Sequence, residues 1–273
     1  MSRRRPQRGG AGSAAAEAPA GTATWAYCVI RAAAPPPAAT APPGPPGASP
    51  VRALPLAPEL WLIVSEVPLP AYGAATIESR LSDLGWVSDR ALPHEAVIEH
   101  FAGAGAVVPL PLFTLFADDR SARERIAAQR PRLEEALERV AGCSEWGLKV
   151  FLASGAGAAE EPARPAHSGT EFLERKRGAR AAVRERAARA RGLAEELAGA
   201  LAGAAAAAVH KPPPVPETGA RLLLEAAFLV RDGDAGAFEE LVAARAGALH
   251  AAGCRVTLTG PWPPFHFVGE ELG

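Results

Sequence analysis

The sequence predicts an α+β fold of two domains, each a sheet covered by helices. Short apolar and β-branched segments alternate with amphipathic helices in the order β, β, α, α, β, α, β over about 130 residues. A segment rich in Ala, Gly, Glu and Pro, 153–167, then interrupts the pattern and marks a domain boundary. A second series of helices and strands follows. We therefore expect an N-terminal domain at 22–152 and a C-terminal domain at 168–273.

The first strands of the N-terminal domain flank a Pro-rich stretch. Residues 1–21 are rich in Gly, Ala and Arg without periodicity, which predicts a disordered tail. Thr24–Arg31 is aromatic and β-branched, as in a strand, and the continuous apolar run of Glu59–Val67 predicts a central strand. The prolines of 32–50 lack the N–H donors that a helix or a β-sheet requires. We therefore expect an extended, polyproline-like surface insertion, which is mobile and a passive loop expansion.

The remaining elements of this domain follow from periodicity and proline positions. Helices are predicted at Ala74–Leu84 and at Pro93–Ala102, where proline suits the first turn. Val107–Leu110 reads as a strand that Pro109 and Pro111 confine to a sheet edge, a bulge or a strand end, because proline cannot donate to a ladder. A third helix, Asp118–Val140, must kink or split at Pro131. Glu145–Leu152 is then the fourth strand of the N-terminal domain.

The C-terminal domain is predicted to have the order α-β-α-β. A long helix runs from about Gly169 to Val209 and stops before the proline cluster KPPPVP. Arg221–Val230 reads as a buried strand, and the apolar spacing from Phe238 to Leu249 gives a helix that stops at Gly253. Arg255–Thr259 alternates as a strand, and a right-handed crossover is expected if the two strands are parallel.

Charge and composition exclude several classes of protein. The 29 basic and 30 acidic side chains nearly cancel, so nothing draws the whole chain to nucleic acid or an anionic membrane. No apolar run is long enough to span a bilayer, and the arginines near the N-terminus are not followed by the apolar core of a secretory signal. Three widely spaced cysteines are typical of a reducing compartment. We expect a soluble, intracellular protein.

Five short segments, in order along the chain, resemble one known family. They are His94-Glu95-Ala96-Val97 with Val108-Pro109-Leu110 and Phe113-Thr114; Glu145 to Val150 (EWGLKV); Ser168 to Lys176 (SGTEFLERK); Ala226 to Val230 (AAFLV); and Leu258 to Phe265 (LTGPWPPF). Together they resemble the gas vesicle protein F/L family. The resemblance covers most of the chain, from about residue 24 to 268.

The resemblance carries expectations about fold and function. It implies two modified ferredoxin-like units, with a long helix opening the second. It also implies a structural accessory protein of gas vesicle organisation, chaperone-like and a minor vesicle component. Such a protein would bind the small hydrophobic shell protein (GvpA type) and other accessory proteins, and limit shell-protein aggregation during vesicle nucleation. Its expected location is the cytoplasm and the gas vesicle, and neither nucleic acid nor membrane is an expected partner.

The sequence contains no convincing catalytic or metal-binding motif. His94 and His100 stand six residues apart, whereas a zinc-binding helix presents its histidines four residues apart on one face. The stretch 103–105 follows a helix instead of a strand, and so lacks the context of a phosphate-binding loop. We therefore expect no enzyme, no metal and no cofactor. A small-ligand-binding or enzymatic α+β domain stays open as an alternative.

Two segments carry candidate partner-binding residues. Trp262, Phe265 and Phe267 stand among prolines, so they either anchor a partner or fold back to cap the core. The long helix has a basic stretch at 175–191, whose candidate residues are Arg177, Arg180 and Arg184. That stretch is a solvated face, a docking site for an acidic partner or, as a second alternative function, the arm of a nucleic-acid-binding regulator. The open sheet edge near Val107–Leu110 is a further candidate surface.

Overall fold

Two antiparallel sheets organise the residues that the computed structural model describes, 21–153, 169–211 and 221–268. The predicted tail and the predicted interdomain linker lie, apart from Gly21 and Ala153, outside the described residues. The first sheet contains β1 (Thr22–Arg31), β2 (Arg52–Ala57), β3 (Leu60–Pro68), β4 (Ala106–Pro109) and the two-residue β5 (Leu115–Phe116). The second contains β6 (Cys143–Leu152), β7 (Ala207–Lys211), β8 (Arg221–Arg231) and β9 (Cys254–Trp262).

The strands of the first sheet run in the order β2-β3-β1-β4, and β5 pairs with β1. The central position predicted for the apolar run is confirmed, because β3 pairs with β1 and β2 and buries both faces, as Leu62, Ile63 and Val64 show. The sequence did not predict β2. Its Pro55 stands opposite Trp61 in an edge strand, where a missing ladder donor is tolerated.

Five helices accompany the first sheet: α1 (Leu69–Tyr72), α2 (Ala74–Arg80), α3 (Leu84–Phe101), α4 (Asp119–Ala127) and α5 (Arg130–Val140). The predicted break at Pro131 is confirmed, since α4 ends at Ala127 and Pro131 lies in the first turn of α5. The predicted start of a helix at Pro93 is wrong, because α3 begins at Leu84 and contains Pro93 in its interior. Asp83 caps that helix by accepting from Trp86 N at 3.0 Å, and burial of Trp86 secures the turns before Pro93.

The second sheet corrects the assignment of one strand. β6, predicted as the last strand of the N-terminal domain, pairs with β8 from Cys143 to Leu152 and with β9 on its other side. The sheets therefore divide between α5 and β6, ahead of the predicted boundary. An apolar strand pattern indicates burial on two faces, but it does not identify the sheet when every partner strand lies far away in sequence.

Two long helices, α6 (Gly169–Ala204) and α7 (Ala235–Ala251), complete the second half. The predicted extension of the long helix to Val209 is wrong, because β7 begins at Ala207. Ala206 N donates to Leu229 O at 2.8 Å, so pairing with the open edge of β8 overrides the helix propensity of the alanine run.

The strand order confirms the ferredoxin-like topology. The second half runs β6-α6-β7-β8-α7-β9 with the sheet order β7-β8-β6-β9. Both β8 and β9 are antiparallel to β6, so they are parallel to each other, as the predicted crossover required. The first sheet has the same order, but the Pro-rich stretch stands where the second unit has α6.

The Pro-rich stretch is more than a passive loop. Ala38, Ala41 and Ala48 pack against the same core cluster as α3. The Tyr72 hydroxyl donates to Pro46 O at 2.7 Å and thereby fixes the middle of the stretch to α1. Prolines exclude a helix here, yet the stretch covers the sheet face that a helix would otherwise cover.

The core consists of three clusters arranged around the sheets. One lies between the first sheet and α3, and another between the second sheet and α6 and α7. The third joins the two sheets through α4 and α5, with Val64 from β3, Leu137 from α5 and Leu229 from β8. The two halves therefore have separate sheets and a shared central core.

Candidate partner-binding surfaces

The C-terminal aromatic segment divides between exposed and buried side chains. Trp262 and Phe265 are 43% and 38% exposed, whereas Phe267 is only 5% exposed and packs in the central core. Arg139 Nη1 also donates to Phe267 O at 3.1 Å. The two hypotheses from the sequence therefore apply to different residues, because Phe267 caps the core and the other two aromatics are accessible.

A buried carboxylate holds this segment in place. Glu145 of β6 is 5% exposed and accepts from His266 N at 2.8 Å and from His266 Nδ1 at 2.5 Å. A buried carboxylate needs such partners, because desolvation without them is costly. The contact fixes the short 3-10 helix Phe265–Phe267, so Trp262 and Phe265 are presented on an anchored backbone.

A cleft of about 620 Å³ lies beside this segment. Its walls come from the end of α3 and start of β4, the start of β6 and residues 261–264. Glu99, Asp232 and Trp262 contribute the acidic and aromatic side chains of the lining. Asp232 accepts a hydrogen bond from the Ser144 hydroxyl at 2.6 Å. We call this site the acidic cleft.

The predicted sheet edge offers little apolar surface. β4 is the terminal strand of its sheet, in agreement with the inference from Pro109. The side chains of Val107, Val108 and Leu110, however, are at most 4% exposed. The edge therefore contributes only its beginning to the acidic cleft.

The three candidate arginines of the long helix are exposed. Arg177, Arg180 and Arg184 lie in the first part of α6, and the helix does not bury a described side chain until Ala190. We call Thr170–Glu185 the arm. The structure does not bring the arm and the aromatic segment together, because they lie at opposite ends of the second sheet.

His94 is a structural residue. Trp25 Nε1 donates to His94 Nδ1 at 3.0 Å, which places the proton on Nε2, and Nε2 donates to Leu110 O at 3.1 Å. Burial lowers the pKa of His94 to about 4, although the hydrogen bond to Leu110 opposes the shift, so the ring is neutral at pH 7. His100 contacts Thr40 on the exposed side. Within the described part of the chain, no group of three His, Cys, Asp or Glu side chains is placed to hold a metal ion.

An apolar groove of about 560 Å³, which the sequence did not reveal, lies between α1, α2 and β5. Leu69, Tyr72, Ile77 and Phe113 line it, and Leu81 at its rim is 54% exposed. We call this site the α2 groove. Its lining residues are distant in sequence, so no local pattern indicates it.

Comparison with known proteins decides the family. A family model described as "Gas vesicle synthesis protein GvpL/GvpF" matches residues 23–269. The chain belongs to this family. It is 34% identical over 218 residues to "Gas vesicle protein L" of Streptomyces sp. (strain CB03234), covering 77% of this chain and 80% of that protein.

Solved structures of gas vesicle protein GvpF have the same fold. The GvpF crystal structure from Anabaena sp. PCC7120 matches with a TM-score of 0.66 and 16% identity, covering 91% of this chain and 96% of that one. GvpF from Microcystis aeruginosa matches with a TM-score of 0.62 and 16% identity, covering 90% and 99%. No helix among the described residues of this GvpL/GvpF chain is long and apolar enough to cross a membrane.

Most of the segments that resemble the GvpL/GvpF family belong to the sheets and the core. Glu145–Val150 belongs to β6 and Ala226–Val230 to β8, the two central strands of the second sheet. His94 bonds within the first core. The segment that ends at Lys176 is exposed at its described side chains from Leu173 onward, and the last segment exposes Trp262 and Phe265. The motifs therefore identified the family, and two of the five segments also reach exposed surface.

Proposed function

We propose that this GvpL/GvpF chain binds the small hydrophobic shell protein (GvpA type) of gas vesicles and limits its aggregation during vesicle nucleation. The chain acts as a chaperone-like accessory protein without catalysis, in the cytoplasm and on the vesicle. The family supports a gas vesicle role. The α2 groove supports this specific task, because a continuous apolar surface is the kind of site that receives an apolar partner.

The α2 groove has the composition of a docking site for an apolar helix or strand. Polar groups are few along it, and Glu78 is the charged side chain among its described lining residues. Covering Leu81 would remove most of its exposed area from water, at about 25 cal/mol per Å² of apolar surface. Part of this gain offsets the loss of translational and rotational freedom on binding.

The C-terminal aromatics supply a second apolar surface. Trp262 and Phe265 are exposed on a backbone that the Glu145–His266 contact holds in place, so little side-chain or loop entropy is lost when a partner covers them. The near-zero net charge argues against long-range steering as the main source of affinity. Binding through two apolar surfaces should therefore survive high salt.

Two variants, one inside the α2 groove and one outside it, test the proposal. Ile77→Asp combined with Leu81→Asp places two charges at the α2 groove, because both side chains line it. Leu92→Asp instead changes a leucine of α3 that is 63% exposed and outside the groove lining. In cells that co-express the shell protein, we expect the double variant to co-purify at least tenfold less shell protein. The Leu92 variant should behave like the unmodified chain.

Two outcomes would contradict the proposal. Equal co-purification by both variants would exclude the α2 groove. Complete loss of binding by the unmodified chain at about 0.5 M salt would indicate an electrostatic interface, because the Debye length is then only a few ångström.

A further inference from the structure

The arm of α6 has no buried side chain among those that the structure describes. Its described side chains are exposed on every face from Leu173 to Glu185, and Leu173 and Val183 are 53% and 67% exposed. The arm is about 24 Å long at 1.5 Å per residue. Most helical stability in proteins comes from packing of one face against other elements, and the exposed faces of the arm are available to a partner.

The arm carries one basic stripe. Leu173, Arg177, Arg180 and Arg184 follow one another at intervals of four, three and four residues, so they lie on one face of the helix. Between Leu173 and Glu185 the chain has five basic and two acidic residues. A partner for this face needs carboxylates together with apolar or aromatic surface.

The acidic cleft has that chemistry. Glu99 and Asp232 are the charged side chains among its described lining residues, and both are exposed. Trp262 stands beside them with 43% of its surface accessible. Arginine suits such a site, because its guanidinium forms paired hydrogen bonds with carboxylates and stacks on an indole ring. The cleft volume of about 620 Å³ leaves room for side chains of this size.

The register of the second sheet separates the arm from the cleft of the same chain. β6 begins at the cleft, where Cys143 pairs with Arg231 and Glu145 with Trp262, and it ends where Leu152 pairs with Cys254. Arg186, the residue directly after the arm, lies at this far end, because its Nε donates to Ala252 O at 3.4 Å. The arm extends from Arg186 toward the N-terminus of α6, away from the cleft.

The C-terminal end of α6 returns to the cleft end. Ala206 N donates to Leu229 O, and Leu229 pairs with Glu145. Arg180 is thus about 36 Å along the helix axis from Ala204. An arginine side chain cannot span that distance, so the arm cannot occupy its own cleft.

We propose that the arm docks into the acidic cleft of a second copy of this chain. The contact joins two different surfaces, so it is head-to-tail, and each added copy leaves one free arm and one free cleft. The chain then assembles into rows or rings instead of closed two-fold dimers. This inference does not use the α2 groove, but it shares Trp262 with the aromatic surface proposed above for the shell protein. Purified protein without shell protein therefore tests self-association separately.

Sedimentation velocity on the full-length, nuclease-treated protein tests the contact. In about 50 mM salt the average mass should rise with concentration, and at about 0.5 M salt it should return to the monomer, because the interface includes exposed ion pairs. An arm variant, Arg177→Glu with Arg180→Glu and Arg184→Glu, should associate at least tenfold more weakly. A cleft variant, Glu99→Gln with Trp262→Ala, should show the same loss.

Mixing the two variants gives the decisive result. The arm variant retains an intact cleft and the cleft variant an intact arm, so an equimolar mixture should form a complex that stops at two chains. A control with the same charge change, Arg80→Glu with Arg123→Glu and Arg245→Glu, should associate like the unmodified chain. Circular dichroism should show that every variant is folded.

Several outcomes would overturn the inference. A chain that stays monomeric in low salt at all concentrations, or that associates only before nuclease treatment, would contradict it. The same holds if either variant associates normally, or if two folded variants form no mixed complex.

Discussion

Phe267 and its exposed neighbours should respond very differently to truncation. Phe267→Ala removes a ring that is 5% exposed from the central core between the two sheets. Large-to-small substitutions of buried phenylalanine cost about 3–5 kcal/mol, and the upper part of the range applies where neighbours cannot collapse into the cavity. Here Arg139 and Glu145 hold the flanking backbone, so collapse is restricted.

Trp262→Ala with Phe265→Ala is the matched variant. These side chains are 43% and 38% exposed, so their loss should cost about 1–2 kcal/mol in total, which is the range of ordinary partly exposed substitutions. Urea unfolding followed by circular dichroism measures both variants against the unmodified chain. The reasoning is refuted if the double variant destabilises the protein as much as Phe267→Ala, or if Phe267→Ala costs less than about 1 kcal/mol.

Three other predictions concern stability. His94 is neutral in the fold down to a pKa of about 4 but titrates near 6.5 when unfolded, so the free energy of unfolding should rise with pH between these values by about 3 kcal/mol and then stay level. His94→Gln should flatten that profile. Asp119→Asn should cost about 1–2 kcal/mol, because Asp119 accepts two hydrogen bonds from the Arg52 guanidinium at the sheet surface. Tyr72→Phe should cost about 1 kcal/mol by releasing Pro46 O from α1.

Controls separate these effects from general damage. His100→Gln changes an exposed histidine and should alter the free energy of unfolding at pH 7 by less than about 0.5 kcal/mol. The Arg52 hydrogen bonds lower the pKa of Asp119, so the difference between Asp119→Asn and the unmodified chain should shrink as the pH falls and the carboxyl protonates. If Tyr72→Phe leaves proteolysis of the Pro-rich stretch unchanged, the Tyr72–Pro46 contact does not hold that stretch to the core.

The sequence predicted correctly those helices and strands whose tertiary packing agrees with the helix or strand propensity of their own residues. The apolar run of β3 gave its central position, and Pro131 gave the break between α4 and α5. Predictions failed where tertiary contacts decide between local alternatives. β7 is formed from alanines that favour helix, because the edge of β8 pairs with them. Pro93 suggested a helix start, but the Asp83 cap and buried Trp86 begin the helix earlier.

The candidate surfaces show the same division. Aromatic and basic residues were identified from composition, but only the fold shows that Phe267 is buried while Trp262 is exposed. The α2 groove brings α2 together with Phe113, a contact between segments that no local periodicity predicts. Strand register was equally necessary to place the arm and the acidic cleft at opposite ends of one sheet.

Site-specific photocrosslinking in cells tests shell-protein docking most directly. A photoreactive phenylalanine analogue would replace Leu81 at the rim of the α2 groove or, as a control, Leu92 on α3. Both positions are exposed, so both should tolerate the analogue. The account predicts a crosslink to the small shell protein from position 81 and none from position 92. Equal crosslinking at the two positions, or crosslinking from position 92 alone, would contradict docking at the groove.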